Sequence, residues 1–316
     1  MINKKAIITT IIALSIVIQV GCSDVKIGEN DPKGGSAKPG TVVNEESNQH
    51  NDEVTIMDDF ETLLNNDNDL IRVIKFVDNN ISLVSHENAS TMVNKLEELQ
   101  KGYFSKIEEK FYSNDIQKKL MNENITVSDL NAINNINDAE LKQLLTEIRE
   151  NGFKIDTAEG MYYPIVNYEF IKKYSDYVTE DIKEYIEIMT KESLQAPSKD
   201  AGLVITWDEI LNRALRQEKF INDYPTSDKI NDIKVLYKRY VWFLLYGTDN
   251  TPLFSYDKKI LVSEAKEAYT NGISSNEQSE LQKALSEFLE ALNNNNYKIT
   301  KTVEAKRDSL FKKLTK

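Results

Sequence analysis

Met92-Val93-Asn94-Lys95-Leu96-Glu97-Glu98-Leu99-Gln100-Lys101-Gly102-Tyr103-Phe104-Ser105-Lys106-Ile107-Glu108-Glu109-Lys110-Phe111 is the stretch that decides the fold class. Met92, Leu96, Leu99, Tyr103, Ile107 and Phe111 recur at steps of three and four. That spacing lays one apolar stripe along a helix and leaves the Lys and Glu residues on the solvated side. It predicts a helix of about 25 residues, capped by Ser85.

The same signals continue along the chain. Asp138 predicts a cap for a helix over Ala139 to Asn151, with Gly152 as the stop. Ile182, Tyr185, Ile186 and Met189 mark a helix that ends before Pro197. Thr206-Trp207-Asp208-Glu209 has capping-box spacing and predicts a helix to about Asp223. Ser227 opens the next, which ends at Gly247. Ser275 to Gln278 predicts a further capping box, for a helix to about Asn293, and a last short helix covers roughly Thr302 to Leu314. One stretch breaks the rule. Phe153 to Thr157 and Met161 to Val166 are short β-prone runs around Gly160, which predicts a hairpin near 152–166. Pro164 confines its second strand to an edge. The expected fold class is therefore mainly α: a multi-helix bundle or irregular array of helical hairpins, of roughly nine or ten helices, with one small β-hairpin.

Composition agrees. The 316 residues hold 51 acids, 39 Lys or Arg, two His, one Cys, eleven Gly and six Pro. Five of the Gly and two of the Pro precede residue 41, so the rest of the chain is poor in turn residues and ill suited to a sandwich or barrel. One Cys excludes an internal disulfide and a Cys-rich metal site. A net charge of −12 argues against nucleic acid as a partner, because phosphate backbones need a basic face.

The N-terminus carries the most specific signal. Lys4 and Lys5 precede an uncharged apolar run from Ala6 to Val20, followed by Gly21 and Cys22. At about 15 residues the run is short for a membrane span, which takes roughly 20. The segment resembles a bacterial lipoprotein signal, with Gln19 where an aliphatic residue is usual. The resemblance covers residues 1–22. It implies cleavage after Gly21, a diacylglycerol on the Cys22 thiol and a protein anchored at the outer face of the cell membrane. Loss of residues 1–21, with Lys4 and Lys5, takes the charge from −12 to −14. Ser23 to Glu53 holds Pro32, Gly34, Gly35, Pro39, Gly40 and a polar run, with no apolar period. It reads as a disordered tether with a reach of roughly 30 Å. The expected organisation is a signal peptide at 1–21, lipidated Cys and tether at 22–53, and a single helical domain at 54–316, with a subdivision allowed near 152–166. An acidic body is repelled by anionic lipid, in keeping with a spacer.

A second resemblance is local. Glu218-Lys219-Phe220-Ile221-Asn222-Asp223-Tyr224-Pro225-Thr226-Ser227 is similar to the inter-helix turn of tetratricopeptide-type repeats. It covers one helix pair, Trp207 to Gly247, and no second copy follows at that period. It therefore implies helical-hairpin chemistry alone.

The chain lacks H-E-x-x-H, G-x-S-x-G, P-loop and G-x-G-x-x-G signatures. Asn65, Asp67 and Asp69 alternate as in a calcium loop, but Leu70 and Phe76 stand where the loop needs Gly and Glu. A helix break is the better reading. No catalytic residue, metal ligand or cofactor is assigned. The positive signal is aromatic. Tyr162, Tyr163, Tyr168, Tyr174 and Tyr177 crowd the hairpin and the helix after it. Tyr237, Tyr240, Trp242, Phe243 and Tyr246 crowd a helix that carries apolar residues on nearly every face and should be buried. Successive strand residues face opposite sides, so Tyr162 and Tyr163 cannot both point inward. Tyr162, Tyr163 and Tyr168 are the candidate binding residues. The expected role is non-enzymatic binding of a protein or envelope component. One alternative is a glycan, peptide or small solute in an aromatic cleft. A second is an envelope hydrolase with an unrecognised carboxylate site.

Overall fold

A computed structural model describes residues 45–66, 69–112, 115–122, 125–273 and 279–316. The expected signal, Cys22, most of the tether and the Ser275–Gln278 box lie outside these. The described residues form thirteen α-helices and two small antiparallel strand pairs. The first part holds α1 (Glu45–Asn66), α2 (Leu70–Asn80), the long α3 (His86–Tyr112), α4 (Ile116–Asn122), α5 (Val127–Ala132) and α6 (Ala139–Glu150). The hairpin β1 (Phe153–Ala158) and β2 (Met161–Val166) follows, then α7 (Tyr168–Lys172) and α8 (Glu180–Leu194). The two-residue strands β3 (Ser198–Lys199) and β4 (Gly202–Leu203) lead to α9 (Trp207–Asp223), α10 (Ile230–Tyr246), α11 (Ser263–Gly272), α12 (Glu280–Asn293) and α13 (Lys301–Leu314). The mainly α class with a small hairpin is thus observed. There are more helices than expected because several, such as α5 and α7, are too short to show a period.

Most boundaries sit where the capping chemistry places them. The Asp138 side chain accepts from Leu141 N (2.9 Å) and the Thr206 hydroxyl from Glu209 N (3.2 Å). Asp69 caps α2 at the break after α1. The capping box of α12 is Ser279 with Gln282, and the described helix starts at Glu280. The other shift is at the N-terminal end. α1 begins at Glu45, so residues 45–53 are helical where a tether was expected. Their polar composition hides a helix that has no apolar stripe to announce it.

Two apolar cores form. Phe60, Val73, Met92, Leu96, Ile107 and Phe111 contribute to the first, along with residues of the hairpin and α8. α9 to α13 build the second around Ile210, Tyr240, Leu244, Leu285 and Phe288. The α9–α10 pair serves both. Phe220 and Ile233 lie in the first core, Trp207 and Tyr237 in the second, and Ile221 and Leu236 pack against each.

The hairpin register pairs Phe153 with Val166, Ile155 with Pro164 and Asp156 with Tyr163. Glu159 and Gly160 have φ of 49° and 73°, as in a two-residue turn of type I′. Phe153 and Ile155 are buried, which fixes the inward face. Gly152 at its foot has φ +75°, and an added Cβ would lie 2.1 Å from Gln100 Nε2 and 2.9 Å from Phe170 Cδ1. Gly160 has positive φ but open space around it. Gly152→Ala should therefore cost about 3 kcal/mol, from backbone strain plus overpacking, and Gly160→Ala only about 1. Urea unfolding of the two variants checks this, and equal losses would mean that the close approach at Gly152 is not tight.

Candidate functional site

The hairpin tyrosines part company in the fold. Tyr162 shares the inward face with Phe153 and Ile155 by strand alternation and packs against the first core. Its backbone is clamped by Gln117, which donates to Tyr162 O (2.8 Å) and accepts from Tyr162 N (3.1 Å). Tyr163 lies on the opposite face, half-buried, beside Asp156 and Asp200. Burial, then those carboxylates, push its phenol up to about 12. Tyr168 does not join Tyr163 on the outer face. It is buried, and its hydroxyl is committed to Glu97. Tyr174 is buried too, donating to Asp78 Oδ1 (2.7 Å). The three candidates therefore do not converge. One helical turn after the hairpin is enough to carry Tyr168 into the core.

What Tyr168 joins is a buried charged centre that no motif announced. Glu97 of α3 is 2% exposed. Its Oε2 accepts from Lys229 Nζ at 2.6 Å, and Lys229 is itself buried at the start of α10. Its Oε1 accepts from Tyr185 OH (2.6 Å) and from Tyr168, and lies 3.1 Å from Lys101 Nζ. Lys101 reaches on to Asp232 Oδ2 (3.4 Å). Burial alone would push the Glu97 carboxyl up. The Lys229 and Lys101 ammonium groups, with the hydrogen bonds, outweigh it and hold the carboxyl at about 2. A second buried group joins α8, α9 and α10. Arg213 donates to Glu209 (2.8 Å) and to the Gln195 carbonyl (2.9 Å), and Tyr240 donates to Glu192 (2.5 Å). Both centres join side chains from several helices, and in the second the buried Arg213 Nη2 is left without a hydrogen-bond partner.

The second aromatic group splits between core and surface. Tyr237, Tyr240 and Phe243 are buried as expected, but Val235 and Trp242 are 43% and 47% exposed. Trp242 stacks on Tyr246 with centroids 4.1 Å apart and a tilt of 13°. Phe311 of α13 meets both rings edge-on at 5.6 Å. The Arg307 guanidinium lies 4.2 Å from the Tyr246 ring centre. The stripe below Trp242 is cationic: Lys234 and Lys238 precede it at helical spacing, with Arg239 beside them. All three are exposed and form no ion pair with a described residue. Among the described residues this stripe, with Arg239 close enough to Glu192 to favour its charged form, ends in an ordered aromatic platform. The amphipathic period along α10 pointed to this only weakly, because both cores draw on the same helix.

Comparison with protein-family models, curated proteins and solved structures finds no match for this chain.

Two clefts open on the described surface. The larger, about 470 Å³, lies against the Tyr224-Pro225 turn. It is lined by Glu87, Glu180, Asp181, Asp223 and Asp228, and by no Lys or Arg. The smaller, about 300 Å³, lies on the outer face of the hairpin. Among the described residues no group of three His, Cys, Asp or Glu side chains is placed to hold a metal, and no helix is long and apolar enough to cross a membrane.

The Glu97 centre makes acid stability testable. Its carboxyl is depressed in the folded chain, so the stabilisation is complete above the ordinary value of 4.5 and is lost as pH falls toward about 2. The loss should be on the order of 3 kcal/mol across that window. Glu97→Gln should abolish this part of the pH dependence and cost about 3–5 kcal/mol at neutral pH, because Lys229 is left buried without its counter-charge. Denaturant midpoints measured from pH 7 to pH 2 check both, and an unchanged acid slope in the variant would show that other carboxylates carry it.

Proposed function

We propose that this chain is a lipid-anchored protein of the outer face of a bacterial cell membrane, and that its helical body is a non-enzymatic docking module for a protein or envelope component. The anchor rests on the Lys4-Lys5, Ala6–Val20, Gly21-Cys22 signal. The docking role rests on one observation: the Trp242–Tyr246–Phe311 platform with its basic stripe. Trp, Tyr and Arg dominate binding hot spots because they bring large rigid area or several donors at little entropic cost. Here the rings hold one another in place, so little ordering remains to oppose binding. Lys234, Lys238 and Arg239 favour an acidic partner surface and would speed its approach at low salt. Neither the cleft at the Tyr224-Pro225 turn nor the one on the hairpin is lined by Tyr162, Tyr163 or Tyr168.

For the anchor, cells expressing the wild type should incorporate labelled palmitate into the protein, and Cys22→Ala should abolish it; continued labelling would remove Cys22 from the role. For the face, a photo-crosslinking residue at position 242 should trap one defined acidic partner in intact cells, while the same group at exposed Glu109 should not. Trp242→Ala should weaken that complex by at least about 2 kcal/mol and leave folding nearly unchanged. Equal trapping from both positions would exclude this face.

A further inference from the structure

The smaller cleft has a chemistry the docking face does not use. Its floor is the outer face of the hairpin, where Lys154, paired with Ile165, and Asp156 share one side of the strands. α5, the end of α8 and the segment around β3 close it. Its lining is mixed, with Asn131, Ser193 and Gln195 beside apolar residues, and two of the apolar ones, Leu194 and Val204, are 54% and 44% exposed.

Three charged side chains line it. Lys199 is bonded to Asp156 and donates to the Thr157 carbonyl (3.0 Å), so these two neutralise each other. Lys154 is the one left over. Its side chain is 15% exposed, it makes no hydrogen bond to a described residue, and its nearest carboxylate, the half-exposed Glu169, stands 3.9 Å away. Burial lowers its pKa, and the Glu169 and Asp156 charges do not make up the loss. The ammonium thus keeps one long ion pair and some contact with solvent, and a hydrogen-bonded carboxylate would give it a closer partner than the protein supplies. One spare cation suits a single carboxylate, whereas a phosphate dianion would call for several donors. At about 300 Å³ the cleft is at the small end of ligand sites.

We propose that this cleft binds a small monocarboxylate with a short apolar tail, its carboxylate on the Lys154 ammonium and its tail against Ile165, Leu194 and Val204. The charged head is the closer partner for the ammonium, and the tail covers the exposed Leu194 and Val204.

The test is a titration of the full chain with hexanoate, and with uncharged hexanamide as comparator, followed by ligand-observed NMR. Hexanoate should bind, and hexanamide should bind about tenfold more weakly, as expected for loss of a charge-assisted hydrogen bond. Lys154→Met should weaken hexanoate about tenfold and leave hexanamide unchanged. The variant keeps the stem volume and removes an unfavourably buried charge, so it should melt no lower than the wild type. Leu194→Ala, at an exposed wall position, should weaken both ligands and provides a second variant if the first does not fold. Equal affinity for the two ligands, no hexanoate binding by the wild type, or undiminished hexanoate binding by Lys154→Met would each overturn the proposal.

Discussion

The buried Glu97 carboxylate is the constraint on which the described fold depends. Taking a carboxylate and an ammonium out of water costs several kcal/mol per ion, and the pair is tolerable only when geometry and further hydrogen bonds repay it. Here the repayment comes from four side chains on three other stretches and one turn of its own helix: Lys229 at the start of α10, Tyr168 of α7, Tyr185 of α8, and Lys101 one turn along α3. A shift of any of these helices by one residue would leave a buried charge bare. The centre therefore adds a directional constraint on the register of α3, α7, α8 and α10 to the one that apolar packing sets.

That register has consequences at the surface. With Lys229 pinned, α10 is held between the two cores, and the α9–α10 pair supplies side chains to both. Most of its circumference is spent on Ile233, Tyr237, Tyr240, Val241, Leu244 and Leu245, all buried. What remains is a narrow strip carrying Lys234, Lys238, Arg239 and Trp242. α13 then lays Phe311 and Arg307 against the same strip, which turns a helix edge into a platform. The same logic explains the hairpin. Its inward face is committed to the first core, so Lys154 and Asp156 point to the other side, where the β3 segment supplies Lys199 for only one of them.

Much of the architecture was legible because its causes are local. Ser85, Asp138 and Thr206 cap helices through bonds to amides three residues on, and Glu159-Gly160 adopts one of the two turn types that suit a two-residue hairpin. The candidate site was less legible. Tyr163 emerged on the outer face, as alternation allows, but Tyr168 went into the core because a helix begins between them. Helix periodicity predicted burial for the whole of Val235 to Tyr246, yet it could not say which residues would stay partly exposed. That depends on α13, more than 60 residues away in the chain.

By itself the sequence determined the helical class, the hairpin and most helix boundaries, because capping, periodicity and turn residues act over a few positions. The proposed lipid anchor likewise rests on the sequence alone, on the resemblance of residues 1–22 to a lipoprotein signal. Only the tertiary structure decided that Glu97, Lys229, Tyr168 and Tyr185 share one buried centre, that Trp242 faces solvent, and that Lys154 keeps only a long ion pair with Glu169. Each of these is a relation between distant segments, and the energy of a charge or a ring depends on what surrounds it, which no local pattern records.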